Sequence, residues 1–112
     1  MQEITWKDFE KVELRVGTIL HVADFPKAKK PAYQLTIDFG ETIGVRKSSA
    51  QITTHYTKES LIGKQILAVV NFPKKQIANF MSECLVTGFA DGDGAIVLAS
   101  VDAQVPNGSK LI

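Results

Sequence analysis

The block N-F-P-K-K-Q-I-A-N-F-M-S-E-C-L, Asn71 to Leu85, gathers residue types that could do chemistry at a surface. Lys74 and Lys75 supply adjacent cations, Phe80 a ring, and Asn79 and Ser82 short hydrogen-bonding groups. Cations for phosphates, a ring for stacking and small polar groups for base edges and sugars are what single-stranded or looped nucleic acid requires of a protein. The plainer reading is a solvated loop. Two further basic stretches weigh against it: Lys27, Lys29 and Lys30 between Pro26 and Pro31, and Arg46-Lys47 ahead of Ser48.

The formal net charge of +1 is an average over unlike parts. From Lys27 to Phe80, nine basic residues face three acidic ones, a net of +6; the two ends together hold four basic and nine acidic residues, a net of −5. If the clustering survives folding, it points to an anionic partner docking on one face.

Enzymatic constellations are hard to assemble. His21 lies in a strand pattern and His55 beside a short helix, both more typical of structural or surface histidines than of a catalytic base. No phosphate-binding glycine loop or nucleophile elbow is present. Asp91-Gly92-Asp93-Gly94 begins like a calcium loop, but Ala95 and Ile96 follow where a ligand and the turn glycine belong, so it reads as a turn. Cys84 precedes an apolar run with no adjacent cation and reads as a buried, inert thiol. Catalysis, metal ligation and a cofactor are therefore not expected.

The 112 residues, 45% hydrophobic, fit one domain over 1–112 with a single core. No apolar run approaches the roughly 20 residues that span a bilayer. The N-terminus lacks the basic and apolar regions of a signal peptide, and one cysteine suits a reducing compartment. The cytoplasm is the expected location.

The elements that must position these groups are mostly strands. Thr5 and Asp8 resemble a capping pair for a short helix from Trp6 to about Lys11. Val12 to Val22 alternates with period two and reads as a long first strand that bends at Gly17. Tyr33 to Phe39 gives a second strand and about Thr42 to Ala50 a third, with Arg46, Ser48 and Ala50 on one face. Thr57 opens a helical turn that Gly63 closes, and Gln65 to Phe72 is a fourth strand. Leu85 to Ala90 and Ala95 to Val101 form a hairpin around Asp-Gly, and the tail from Val105 adds an edge segment. The order describes an all-β, five-stranded OB-type barrel with a short helix between strands three and four. An SH3-like barrel competes, but it usually has no helix there.

K-V-E-L-R-V-G (Lys11 to Gly17), Q-L-T-I-D-F-G (Gln34 to Gly40), Y-T-K-E-S-L-I-G-K-Q-I-L-A-V-V-N (Tyr56 to Asn71) and S-E (Ser82, Glu83) together resemble the tRNA-binding domain family, and R-K-S-S-A-Q-I-T (Arg46 to Thr53) and N-F-P-K-K-Q-I (Asn71 to Ile77) are similar to a free-standing bacterial member of it. That module is appended to many bacterial methionyl-tRNA synthetases and to the phenylalanyl-tRNA synthetase beta chain, and also stands alone. The resemblance implies an OB fold whose N- and C-terminal extensions build a homodimer. It also implies tRNA binding and, for free-standing members, a chaperone role in protein export. Lys30, Arg46, Lys75 and Ser82 fall on matching family positions. The binding loops depart from the pattern at Lys29, Pro31, Ala50, Gln51, Asn79, Cys84 and Leu85, with Asn79 replacing a glycine in a place suited to positive φ.

Two functions follow as expectations. As a tRNA-binding surface, Lys29, Lys30, Arg46, Lys47, Lys74 and Lys75 would meet phosphates, Phe80 would stack, and Ser48, Asn79 and Ser82 would bond edges or sugars. As a binder of unfolded or precursor polypeptides, connected with export machinery, Phe72, Ile77, Phe80 and Met81 would line an apolar groove, plausibly at the dimer seam, although Phe72 and Ile77 also suit barrel core. The alternative to a dual role is a purely polypeptide-binding chaperone whose tRNA binding is vestigial. The segments around Trp6 and Phe9 and from Val105 to Ile112 are the expected dimer contacts.

Overall fold

A computed structural model describes residues 1–112. In chain order the elements are α1 (Trp6–Glu10), β1 (Leu14–Asp24), β2 (Tyr33–Asp38), α2 (Gly40–Ile43), β3 (Val45–Ala50) and α3 (Lys58–Leu61). There follow β4 (Gln65–Val69), β5 (Lys75–Ile77), β6 (Phe80–Ser82), β7 (Leu85–Val86), β8 (Gly88–Ala90) and β9 (Ile96–Leu98).

Local chemistry starts the helices. The Thr5 hydroxyl accepts from Asp8 N at 3.2 Å while the Asp8 carboxylate accepts from Thr5 N at 3.0 Å, the reciprocal cap anticipated from their spacing. Thr57 and Ser60 repeat it at α3, which Gly63 ends at φ +85°.

The sheet runs β3-β2-β1-β4-β7, all antiparallel, around β1. One half of β1, Leu14 to Thr18, pairs with β4; the other, Thr18 to Asp24, pairs with β2. The strand thus curls from one partner to the next and closes most of a barrel. α3 sits between β3 and β4 in sequence and buries Leu61 completely beneath it. Ile19, Leu35, Ile37, Phe39, Ile66 and Ala68 fill the interior. This is the OB-type architecture.

The bend differs from expectation in one detail. The register shift in β1 falls between Ile19 and His21 rather than at Gly17. Gly17 serves a different purpose: a Cβ there would stand 2.6 Å from Ile37 Cγ2 and 2.7 Å from Phe39 Cδ1. The glycine lets the Phe39 ring lie against bare backbone.

Three further differences concern short elements. β5 and β6 form a hairpin within the stretch from Pro73 to Ser82, where K-Q-I and F-M-S are too short to show a period. Its two-residue turn uses Ala78 at φ +51°, not Asn79, as the left-handed residue, because a tight primed turn demands positive φ at its first position. α2 replaces the expected start of the third strand; Gly40 at φ +88° and Gly44 at φ +83° bracket it. The run from Leu85 to Ala90 divides at Thr87, where β7 leaves β4 and β8 turns to β9. Asp91 Oδ1 accepts from Asp93 N at 2.9 Å and Ala95 N at 3.0 Å, so Asp-Gly-Asp-Gly is the expected turn. The tail forms the anticipated edge: Gly108 N donates to Val16 O at 2.7 Å, and Leu111 N to Leu14 O at 2.9 Å.

Cys84 belongs to the core, and burial pushes its thiol pKa up to about 11, against a smaller opposing effect of the Ser48 hydrogen bond. The folded state thus holds this proton more tightly than the unfolded chain, whose thiol titrates near 9.0. Stability should decline as pH rises from 9.0 through about 11, and Cys84→Ala should flatten that decline in urea titrations. Native Cys84 should also resist thiol reagents at neutral pH until the chain unfolds. Gly17→Ala, which forces Ile37 and Phe39 to move, should cost about 1–3 kcal/mol in urea unfolding with an unchanged m-value.

Candidate nucleic-acid interface

β3, the β5–β6 hairpin and the β1–β2 loop meet on one side of the barrel. The joint is held by Glu83. Its backbone N donates to Lys47 O at 2.7 Å, its Oε1 accepts from Lys47 N at 3.0 Å, and its Oε2 lies 3.4 Å from Lys74 Nζ. Residues far apart in sequence are thereby drawn together: Lys47 from β3 and Lys74 from the hairpin share one carboxylate.

Not every predicted binding residue is available. Ser48 is 1% exposed, and its hydroxyl donates to Cys84 O at 2.9 Å, closing β3 against the β6–β7 segment. It faces the interior with Arg46 and Ala50, as the strand period requires, so it offers nothing to a ligand at the surface. Arg46 is half-buried and donates from Nη1 to Val70 O at 2.8 Å, which uses one of its five donors on the fold. The Ser82 hydroxyl donates to Cys84 O at 3.2 Å. Phe80 is half-buried with its ring 5.5 Å from that of Phe25, itself 4% exposed. The ring is docked rather than projecting.

Lys29, Lys30, Lys47, Lys75 and Asn79 are exposed. Lys27, Lys29, Lys30, Lys47 and Lys75 have no carboxylate within ion-pair distance, whereas Lys58 pairs with Asp24 at 2.9 Å and Lys74 with Glu83. The Asp24 hydrogen bond raises the Lys58 pKa and ties that charge to the barrel. Of the unpaired lysines in the middle of the chain, all but Lys64 thus lie on the β1–β2 loop, β3 or the hairpin.

Two depressions lie here. The larger, about 840 Å³, is bounded by Lys27 to Lys30 on one side, Ser49 to Ile52 and Leu85 to Gly88 on others, with Leu98 and Ile96 behind. The smaller, about 350 Å³, lies among Phe72, Pro73, Lys75, Ile77, Ser82 and Cys84. Ser49, Ile77 and Leu85 border both. Phe72 is 56% exposed and Ile77 half-buried, so neither is barrel core; Met81 is 44% exposed. Sequence reasoning grouped Lys27 with the basic stretch but missed Ser49, Gln51 and Thr87 as lining residues. Gln51 carried one signal, since it departs from the family pattern beside the end of β3.

Residues 14–110 match the family model described as "Putative tRNA binding domain". In structure the chain resembles the chaperone CsaA of Bacillus anthracis, with TM-score 0.92 and 47% identity, covering 99% of this chain and 100% of that one. It likewise resembles the CsaA chaperone protein of Picrophilus torridus, with TM-score 0.90 and 55% identity over 98% and 100% of the two chains. In sequence it is 34% identical over 110 residues to the methionine–tRNA ligase of Porphyromonas gingivalis, covering 98% of this chain but only 16% of the ligase. With the match spanning nearly the whole chain, this protein belongs to the tRNA-binding domain family.

Proposed function

We infer that this protein binds tRNA through the lysines around the β3–hairpin joint, without catalysing a reaction of its own. The observation that carries the reading is the set Lys27, Lys29, Lys30, Lys47 and Lys75, none of which is neutralised within the chain. Lysines left without internal partners beside grooves favour a polyanion, and release of its counterions drives association. Asn79 at the hairpin tip and the remaining donors of Arg46 add hydrogen bonds, while the docked Phe80 presents only part of its ring.

Polypeptide binding is the second reading. It draws support from the apolar walls of the two depressions, from exposed Phe72 and Met81, and from the likeness to proteins named as chaperones. On this reading the protein works in the cytoplasm, holding unfolded or precursor chains for export. No helix is long and apolar enough to cross a membrane.

A homodimer completes the proposal. Ile4, Trp6, Val12, Leu111 and Ile112 are exposed apolar residues at the two chain ends. Lys110 Nζ joins those ends by donating to Glu10 O at 3.2 Å and pairing with Glu13 at 2.7 Å. A second copy of the chain would cover them.

Filter-binding titrations with tRNA should give a log–log salt slope of about −4 per chain, from the five lysine–phosphate contacts of roughly −0.7 to −0.9 each. Lys75→Glu should weaken binding more than Lys74→Glu, because Glu83 already offsets Lys74; an affinity indifferent to salt would sink the reading. Trp6→Glu should shift the sedimentation coefficient from dimer to monomer while leaving the far-ultraviolet circular dichroism unchanged.

A further inference from the structure

Phe72 is a large ring that the barrel core does not bury, yet the backbone leading to it is fixed. Val70 N donates to Glu13 O at 2.9 Å, and Arg46 Nη1 donates to Val70 O at 2.8 Å. The Asn71 side chain accepts from Glu13 N at 3.0 Å and donates to Lys11 O at 2.7 Å. Pro73 then disfavours helical backbone for Phe72 itself. The ring, 56% exposed, is thus presented from a held segment rather than from a free loop.

The smaller depression, about 350 Å³, lies beside it and is lined by two kinds of group. Phe72, Pro73, Ile77 and Leu85 make it apolar, while Ser49, Ser82 and Lys75 add polar atoms. Register explains part of this set. Lys75 pairs with Ser82 and Ile77 with Phe80, so these four share one face of the hairpin, and Gln76 and Met81 take the other. Ser49 lies on the face of β3 opposite the buried Ser48, and its hydroxyl has no partner in the chain. Lys75 has no carboxylate within ion-pair distance.

We propose that this depression takes one unpaired nucleotide of an RNA. The base stacks on Phe72, its edge bonds the Ser49 and Ser82 hydroxyls, and its phosphate meets Lys75. The inference rests on the tRNA reading above and names a subsite for it. Phe72 takes the stacking role for which Phe80, packed against Phe25, is poorly placed. The volume lies at the small end of the range for ligand sites, about 300–1,000 Å³, as one nucleotide requires. An aliphatic peptide side chain would match the apolar walls but leave the Ser49 hydroxyl and the Lys75 charge without partners. A base within a duplex is covered by its neighbours in the stack, so only loops, bulges and ends can enter.

The probes are tRNA, a short RNA stem–loop and the blunt duplex of the same stem, each titrated into the full-length protein by filter binding. The stem–loop should bind at least about tenfold more tightly than the duplex. Phe72→Leu keeps an apolar side chain but removes the ring, and should weaken tRNA and stem–loop binding about tenfold. Its salt slope should stay unchanged because no charge is lost, whereas Lys75→Gln should make the slope shallower by roughly 0.7. Phe72→Trp should bind like the unaltered protein, and circular dichroism should be the same for all three variants. Phe72→Leu binding as tightly as the unaltered protein, or duplex binding as tightly as the stem–loop, overturns the proposal and leaves the tRNA reading standing. Absence of tRNA binding, or binding indifferent to salt, removes both. If Phe72→Ala loses affinity for a reduced, carboxymethylated unfolded protein but not for RNA, the proposal is also overturned and the ring belongs to a polypeptide site.

Discussion

Closure of the barrel at β3 depends on a single acidic residue. Glu83 bonds the Lys47 backbone twice, once through its own N–H and once through its carboxylate, in a place where no ladder joins β3 to the far edge of the sheet. The Ser48 hydroxyl, buried against Cys84 O, reinforces the joint from within. A buried hydroxyl needs such a partner, since leaving it unpaired costs about 1–3 kcal/mol. No buried side-chain polar atom lacks a partner anywhere in the chain. The arrangement replaces a continuous strand pair with a point contact.

Beside this joint the β1–β2 loop borders the larger depression, and its three lysines stand at the rim. The β5–β6 hairpin lies across the same region, docked by the Phe25–Phe80 ring contact and tethered by Lys74. Charge and apolar surface are thus adjacent without being mixed: lysines at the edge, aliphatic residues and strand backbone between.

The opposite side of the molecule is organised by β1. The tail returns along Leu14 to Val16, and the Arg15–Glu13–Lys110 cluster ties it there, with the hydrogen bonds from Lys110 and Arg15 lowering the Glu13 pKa. Exposed apolar residues from both chain ends collect beside this cluster. The two candidate contact regions are therefore built from different parts of the sheet.

Apolar runs made the barrel legible in the sequence: β2 buries Leu35 and Ile37 on one face, which period two records directly, and β4 shows as a run of apolar branched residues. Alternation in β1 marked a strand but not its buried face, because Val16 and Ile19 are of opposite phase and both buried, with a register shift following Ile19. Caps at Thr5 and Thr57 and the Asp91 turn were legible because they are local hydrogen-bond patterns within a few residues. The hairpin at Lys75 to Ser82 and α2 left no comparable mark, being too short for any period. The lysine clusters and the absence of an enzymatic constellation were also properties of the chain alone. Only the tertiary structure decided which of those groups are usable. It buried Ser48, docked Phe80, engaged Arg46 and Lys74, moved the left-handed turn residue to Ala78, and exposed Phe72. The reason is physical: sequence fixes what each residue can bond, whereas partners such as Glu83, Cys84 O, Phe25 and Val70 O lie tens of residues away and are chosen only when the sheet curls and its edges meet.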